Sequence, residues 1–168
     1  MSTPFSDLGL DTFLVEGIHA LEIKKPTSIQ QKVIPVLLNQ KEDVVALAKT
    51  GTGKTAAFGL PLLQHIDVQS SAIQAVILVP TRELGQQIFK NLSDFATKKP
   101  EISIVSICGG IPIKPQIERL KEDTHIIVAT PGRLIDLMQR EAIDIKKATY
   151  LVLDDAVEMI SVLTVGLD

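Results

Sequence analysis

Tryptophan is absent, tyrosine occurs once and phenylalanine five times in 168 residues, so the chain lacks the rings from which a base-stacking platform for single strands is built. A single cysteine, Cys108, excludes an intrachain disulfide. The apolar run ISIVSIC that ends on it predicts a buried structural thiol rather than a nucleophile. Net basic charge is missing as well. A formal charge of −3 excludes a grip on nucleic acid by bulk electrostatics and confines any such contact to a local surface. Apolar runs stop far short of the roughly 20 residues a membrane helix needs, and MSTPFSDLGL has neither the basic start nor the apolar stretch of a leader. A cytoplasmic protein without a membrane partner is therefore expected. His19, His65 and His125 share no ligand spacing with one another or with Cys108, so no metal held by imidazole is expected.

What is present has the balance of a globular domain, with 45% hydrophobic and 22% charged residues. A chain of this length buries about 70% of its extended surface on folding, enough for one structural domain with a real core. Short β-branched runs recur along it: DVVALA at 43–48, AVILVP at 75–80, ISIVSIC at 102–108, HIIVAT at 125–130 and YLVLD at 150–154. Most are apolar throughout rather than alternating, which predicts strands buried on both faces of a mostly parallel sheet. The stretches 55–66, 82–96, 114–121 and 131–139 are long enough for crossover helices. The fold class is α/β, with helices on both faces of the sheet. A helical section spanning about 11–39, broken at KKPTS, occupies most of residues 1–40 ahead of this α/β portion at 41–168.

ALAKTGTGKT follows the first strand candidate and opens a helix, the setting a P-loop requires. The backbone N–H groups of Ala48, Lys49, Thr50, Gly51, Thr52 and Gly53, with the helix start behind them, suit nucleotide phosphates. Lys54 can reach the β and γ groups, and the Thr55 hydroxyl can bind Mg²⁺. The strict pattern has glycine where Ala48 stands, while Gly51 and Gly53 keep the turn. Thr27 and Gln30 in PTSIQ have the spacing of a capping box, which gives Gln30 an ordinary reason to be there. PTREL and TPGR each join an apolar strand to a helix start, with Thr81 and Thr130 as N-cap candidates and Pro131 at the first helical position. Capping leaves Arg82 and Arg133 unexplained, and likewise Gly109 and Gly110 after a third strand. In a parallel sheet all these strand ends lie on one edge, where helix starts and arginines would bind a phosphate backbone without net basic charge.

AKTGTGKT, KKPTSIQ, PTREL, the GG of CGG and TPGR occur in the order found in DEAD-box ATP-dependent RNA helicases, and the chain resembles the first, RecA-like P-loop domain of that family from Phe5 to about Ile160. The resemblance implies ATP and Mg²⁺ as cofactors and RNA as partner. It makes residues 41–168 a truncated RecA-like ATP-binding domain, with a second such domain absent. By the same resemblance Gln30 reads the adenine edge, with Phe5, Ile23, Lys25 and Thr27 in the same glutamine motif, and Pro80, Thr81, Arg82, Gly109, Gly110, Thr130, Pro131, Gly132 and Arg133 face RNA. Two departures stand out in that motif. Glu22 occupies the place of a glycine, and Ile23 that of an aromatic.

YLVLDDAVEMI ends its strand on Asp154, the carboxylate a P-loop enzyme uses for Mg²⁺. The family continues Glu-Ala-Asp, whereas this chain has Asp155, Ala156 and Val157. The family glutamate orients the attacking water; Asp155 keeps the charge on a shorter side chain, and a displacement of about 1 Å is able to cost on the order of 10²-fold in rate. Val157 removes the last acid. Lys54, Asp154 and Asp155 are thus the catalytic candidates. Two further readings stand beside the helicase: a non-hydrolysing, nucleotide-gated RNA-binding module, and another P-loop ATPase acting on DNA.

Overall fold

The computed structural model describes residues 4–39, 43–49 and 51–159. The chain forms two compact units, one from residues 1–66 and 91–100 and the other from residues 67–90 and 101–168. Elements follow in the order α1 (Thr12–Ala20), α2 (Ser28–Asn39), α3 (Lys54–His65), β1 (Ala75–Leu78), α4 (Arg82–Phe95), β2 (Ile104–Ile107), α5 (Lys114–Arg119), β3 (Ile126–Ala129), α6 (Pro131–Gln139) and β4 (Tyr150–Leu153), with a 3-10 turn at Phe5–Leu8 before them.

The first unit is helical. Leu14 and Ile18 of α1, Ile34 of α2, and Leu60 and Leu63 of α3 are fully buried and form its interior. α1 and α2 are separated at the expected break, where Glu22 takes a positive φ of 59° and Pro26 precedes the start of α2. Two glycines let backbones approach: a Cβ on Gly17 would lie 2.5 Å from the Phe95 carbonyl oxygen, and one on Gly59 would lie 2.6 Å from Leu92 Cδ2. The Gln64 amide ties the entry of α1 to α3, accepting from the Asp11 N–H at 2.8 Å and donating to the Gly9 carbonyl at 3.1 Å. Lys99 places its ammonium 5.0 Å from the centre of the Phe13 ring, a cation–π contact.

The second unit carries the sheet, ordered β2-β3-β1-β4 and parallel throughout. β3 is buried at every position, as its uniform apolarity predicts. Val76, Val105, Ile107, Ile127 and Ala129 cover one face with Leu134 and Leu137 of α6, and Ile113 and Ile117 beside and within α5 pack against them. The other face receives the first turns of α4. A Cβ on Gly85 would lie 2.7 Å from Cys108 Sγ and 3.8 Å from Val128 Cγ1. Helices therefore cover both faces, and Cys108 is buried at 2% exposure, as the apolar run around it implied. His125, also buried, accepts the Ser103 N–H at Nδ1 (2.9 Å) and locks the start of β3 to the approach of β2.

Two strand expectations need correction. Residues 43–48 form no strand: the segment is irregular, with Val45 89% and Leu47 91% exposed. β-Branched composition suits a sheet, but a strand exists only when a neighbour completes its hydrogen-bond ladder, and among the described residues none does so for this segment. The sheet described has four strands. β4, in turn, is not buried on both faces; its burial alternates, and among the described residues it pairs with β1 alone and forms an edge.

Candidate nucleotide and nucleic-acid sites

In the first unit the loop 51–53 turns into α3 through Gly51 at φ 80° and Gly53 at φ 86°, left-handed conformations that glycine adopts without steric cost. At Gly53 a side chain is doubly excluded, since its Cβ would collide with Gln30 Nε2. Thr52 Oγ1 donates to the Lys49 carbonyl at 2.7 Å and holds the turn closed. Lys54 and Thr55 follow in the first turn of α3, both partly accessible, so the cation and the hydroxyl stand where the helix N-terminus concentrates its positive dipole. Thr50 lies outside the described residues.

Gln30 is 4% exposed and its amide is committed at both ends. Oε1 accepts the Thr27 N–H at 2.9 Å, the reciprocal half of a capping box, and Nε2 donates to the Gly53 carbonyl at 3.1 Å. The capping interpretation is thus correct, and the same side chain fastens the start of α2 to the P-loop turn. A cleft of about 430 Å³ opens beside it, bounded by Thr27, by Ser28 and Lys32 of α2, and by Ala48, Lys49 and Thr52 from the loop. Ile23 is half-buried and Lys25 exposed. Phe5 is 1% exposed, its ring packed in the interior of the first unit.

In the second unit the ends of all four parallel strands share one edge, and there the motif residues are bonded together. Thr81 caps α4 by accepting the Leu84 N–H at 3.3 Å, as read from the sequence. Thr130 does not use its hydroxyl to cap α6; Oγ1 accepts the Gly109 N–H at 3.0 Å instead. Arg133 donates to the Ile111 carbonyl at 2.9 Å, and Arg82 reaches the Gly110 carbonyl at a loose 3.4 Å. Pro80 and Pro131 are buried supports, whereas Gly110 and Gly132 are exposed. The three loops after β1, β2 and β3 thus form one bonded surface carrying two guanidinium groups. Asp154 sits at the end of β4 on this edge, its N–H donating to the Leu78 carbonyl at 3.0 Å. Asp155 follows at φ 52°, a left-handed conformation that aspartate tolerates better than most residues, and Val157 is 84% exposed.

Sequence reasoning passed over Lys32, which lines the cleft, and Gln116, whose buried amide lies at the centre of the glycine loop. Lys32 had a signal, since it shares a face with Ser28 at i,i+4 near the cap. Gln116 had none, because a glutamine in a polar helix reads as solvated. Among the described residues no group of three or more His, Cys, Asp or Glu is placed to hold a metal ion. No described helix is long and apolar enough to cross a membrane.

Residues 27–165 match the profile of the DEAD/DEAH box helicase family. The ATP-dependent RNA helicase DeaD of Escherichia coli K12 is 43% identical over 158 residues, which is 94% of this chain and 25% of that protein. The DEAD-box ATP-dependent RNA helicase CshA of Geobacillus kaustophilus is 41% identical over 159 residues, covering 95% and 34%. A crystal structure of a DEAD box protein from the hyperthermophile Methanococcus jannaschii superposes with a TM-score of 0.90 at 36% identity, over 99% of this chain and 45% of that one. The chain therefore spans a quarter to a third of the length of these curated relatives. With the P-loop turn, the bonded loops of the sheet edge and these likenesses in agreement, the chain belongs to the DEAD/DEAH box helicase family.

Proposed function

We propose that this chain is the ATP-binding, RNA-contacting first domain of a cytoplasmic DEAD-box RNA helicase, which in the whole protein couples ATP hydrolysis to separation of RNA duplexes. The observation that carries the reading is the bonding of the Arg82, Gly109–Gly110 and Thr130–Arg133 loops into one surface on the sheet edge. Two guanidiniums, exposed glycine backbone and the starts of α4 and α6 suit a sugar-phosphate strand, and such a surface works at a net charge of −3 because each contact is local. A second RecA-like domain would complete the enzyme.

For the nucleotide, the Gly51–Gly53 turn and the start of α3 supply phosphate-binding N–H groups, with Lys54 as the cation. The cleft between the start of α2 and the loop has room for part of a nucleoside. Gln30 has one remaining amide hydrogen and a second lone pair on Oε1, enough for an adenine edge beside its two internal bonds. Mg²⁺ fits the donor chemistry on offer. It takes hard oxygen ligands and usually keeps phosphates and waters beside one or two protein groups; the Thr55 hydroxyl in the first unit is such a group, and the Asp154 carboxylate in the second unit is another. When bound, the ion would neutralise charge on the phosphates. Asp155 would orient the attacking water.

Calorimetry of ATP and GTP with Mg²⁺ tests the nucleotide half. ATP should bind in preference to GTP, and Lys54→Ala should abolish the heat. Fluorescence anisotropy with single-stranded RNA tests the other half: three or four phosphate contacts predict a log–log salt slope of about −2 to −3. Equal ATP and GTP affinity would refute the adenine assignment, and RNA binding indifferent to Arg82→Ala and Arg133→Ala would refute the edge surface.

A further inference from the structure

The geometry points to Gln116 as a positioning residue that holds Arg133 and the Gly109–Gly110 loop in the form that grips a phosphate backbone; the inference rests on the RNA-contacting reading above. Gln116 lies in the short helix α5 and is 6% exposed, one of only four buried polar side chains among the described residues. Its amide makes two bonds in opposite directions. Nε2 donates to the Cys108 carbonyl at 3.0 Å, and Oε1 accepts Arg133 Nη1 at 2.7 Å. Reversing the amide would set its NH₂ against the guanidinium and its oxygen against the carbonyl, so the orientation is forced by its partners.

Only a neutral amide of this length meets both demands. A carboxylate at the same place would keep the guanidinium but press an oxygen onto the Cys108 carbonyl. An alkyl chain would deprive the carbonyl of buried Cys108 of this donor and leave Arg133 with its Ile111 bond alone. The consequence falls on Arg133. A guanidinium has five N–H donors; one goes to Gln116 and one to the Ile111 carbonyl at 2.9 Å, which leaves three of five for a ligand. Both fixed bonds run to the glycine loop or to the residue that anchors it, so Arg133 is pre-set in direction and loses little freedom when a phosphate arrives. The loop is turned by the same contacts. The carbonyls of Cys108, Gly110 and Ile111 are engaged by Gln116, Arg82 and Arg133, while the N–H groups of Gly110 and Ile111 donate to no other described residue.

The experiment compares Gln116→Leu, Gln116→Glu, Arg133→Ala and the Gln116→Leu/Arg133→Ala double variant of this chain, with a single-stranded oligouridine as probe. Circular dichroism and urea unfolding establish that each variant is folded. Two readouts follow: RNA anisotropy across 25–200 mM salt, and the mobility of the Arg133 Nε–H by nitrogen-15 relaxation without RNA. Gln116→Leu should weaken RNA binding about tenfold, reduce the salt slope by about 0.7 as one phosphate contact is lost, and mobilise the Arg133 side chain. Gln116→Glu, which retains the guanidinium bond, should keep Arg133 ordered and restore much of the salt slope. In the Arg133→Ala background, Gln116→Leu should cost at most a further twofold. Full additivity of the two losses, or an Arg133 side chain equally ordered in wild type and Gln116→Leu, would overturn the positioning role. Should Arg133 be mobilised as expected while Arg133→Ala leaves RNA affinity intact, the RNA reading of this surface fails and the structural coupling stands.

Discussion

Replacing Gly85 with alanine tests how the sheet edge is packed, because two large effects oppose each other there. In an exposed helix interior the change would favour folding by about 1 kcal/mol through propensity. Here the new Cβ would meet Cys108 Sγ at 2.7 Å and Val79 Cγ2 at 3.2 Å. Real Cβ atoms do not tolerate the first distance, and Cys108 is buried at 2% exposure. Overpacking of this kind costs about 1–3 kcal/mol, so the net change is a destabilisation of roughly 0–2 kcal/mol rather than a gain. Cys108→Ala removes the sulfur and leaves only the milder Val79 contact, so adding it to Gly85→Ala should recover about 1–2 kcal/mol of coupling in a double-mutant cycle. Urea unfolding of the four proteins measures this. At a slope of about 1–3 kcal/mol/M the midpoint of Gly85→Ala should fall by several tenths molar. The same variant should weaken RNA binding, since α4 carries Arg82 on its first turn and Cys108 leads into Gly109. A stabilised Gly85→Ala, or a penalty unchanged by Cys108→Ala, would refute the close packing of α4 on this face.

Gln30→Ala should lower stability by about 1–3 kcal/mol, leaving the Thr27 N–H and the Gly53 carbonyl each short of a bond, and should accelerate hydrogen exchange at the start of α2. Thr130→Val keeps the shape but removes the acceptor for the Gly109 N–H; a loss of about 1 kcal/mol and weaker RNA binding are expected, whereas Thr130→Ser should behave as wild type. At Asp155 the left-handed backbone reverses an ordinary preference: Asp155→Gly should be more stable than Asp155→Ala by about 1 kcal/mol in urea, and an advantage for alanine would contradict the φ of 52°. Gly53→Ala should abolish ATP binding in calorimetry, through both its φ of 86° and its collision with Gln30.

Much of this arrangement was legible in the residues. The starts of α4 and α6 follow from Thr81-Arg82 and Thr130-Pro131, and the parallel sheet follows from runs such as HIIVAT that have no polar face. The segment 43–48 was misread because apolar, β-branched residues report a preference for a pleated surface and carry no information on whether a partner strand lies beside them. Thr130 shows a subtler limit. Its position as an N-cap was correct, but its hydroxyl oxygen is engaged elsewhere, accepting the N–H of Gly109 from a loop 21 residues earlier in sequence. Gln116 was invisible because its significance lies in two partners that sequence spacing does not bring together.

The edge position of β4 bears on how this chain behaves in concentrated solution. Its residues Tyr-Leu-Val-Leu include no proline, lysine or other charge, and Leu151 and Leu153 are 64% and 52% exposed. Among the described residues no strand lies on its outer side, and proteins ordinarily guard such an edge with a charge or a bulge, because apolar side chains along an open edge recruit the same strand of a neighbouring molecule. Self-association seeded at β4 is the expected route to precipitation on storage. A single lysine at 153 would act as a gatekeeper there, raising the solubility limit without touching the loops that follow β1, β2 and β3.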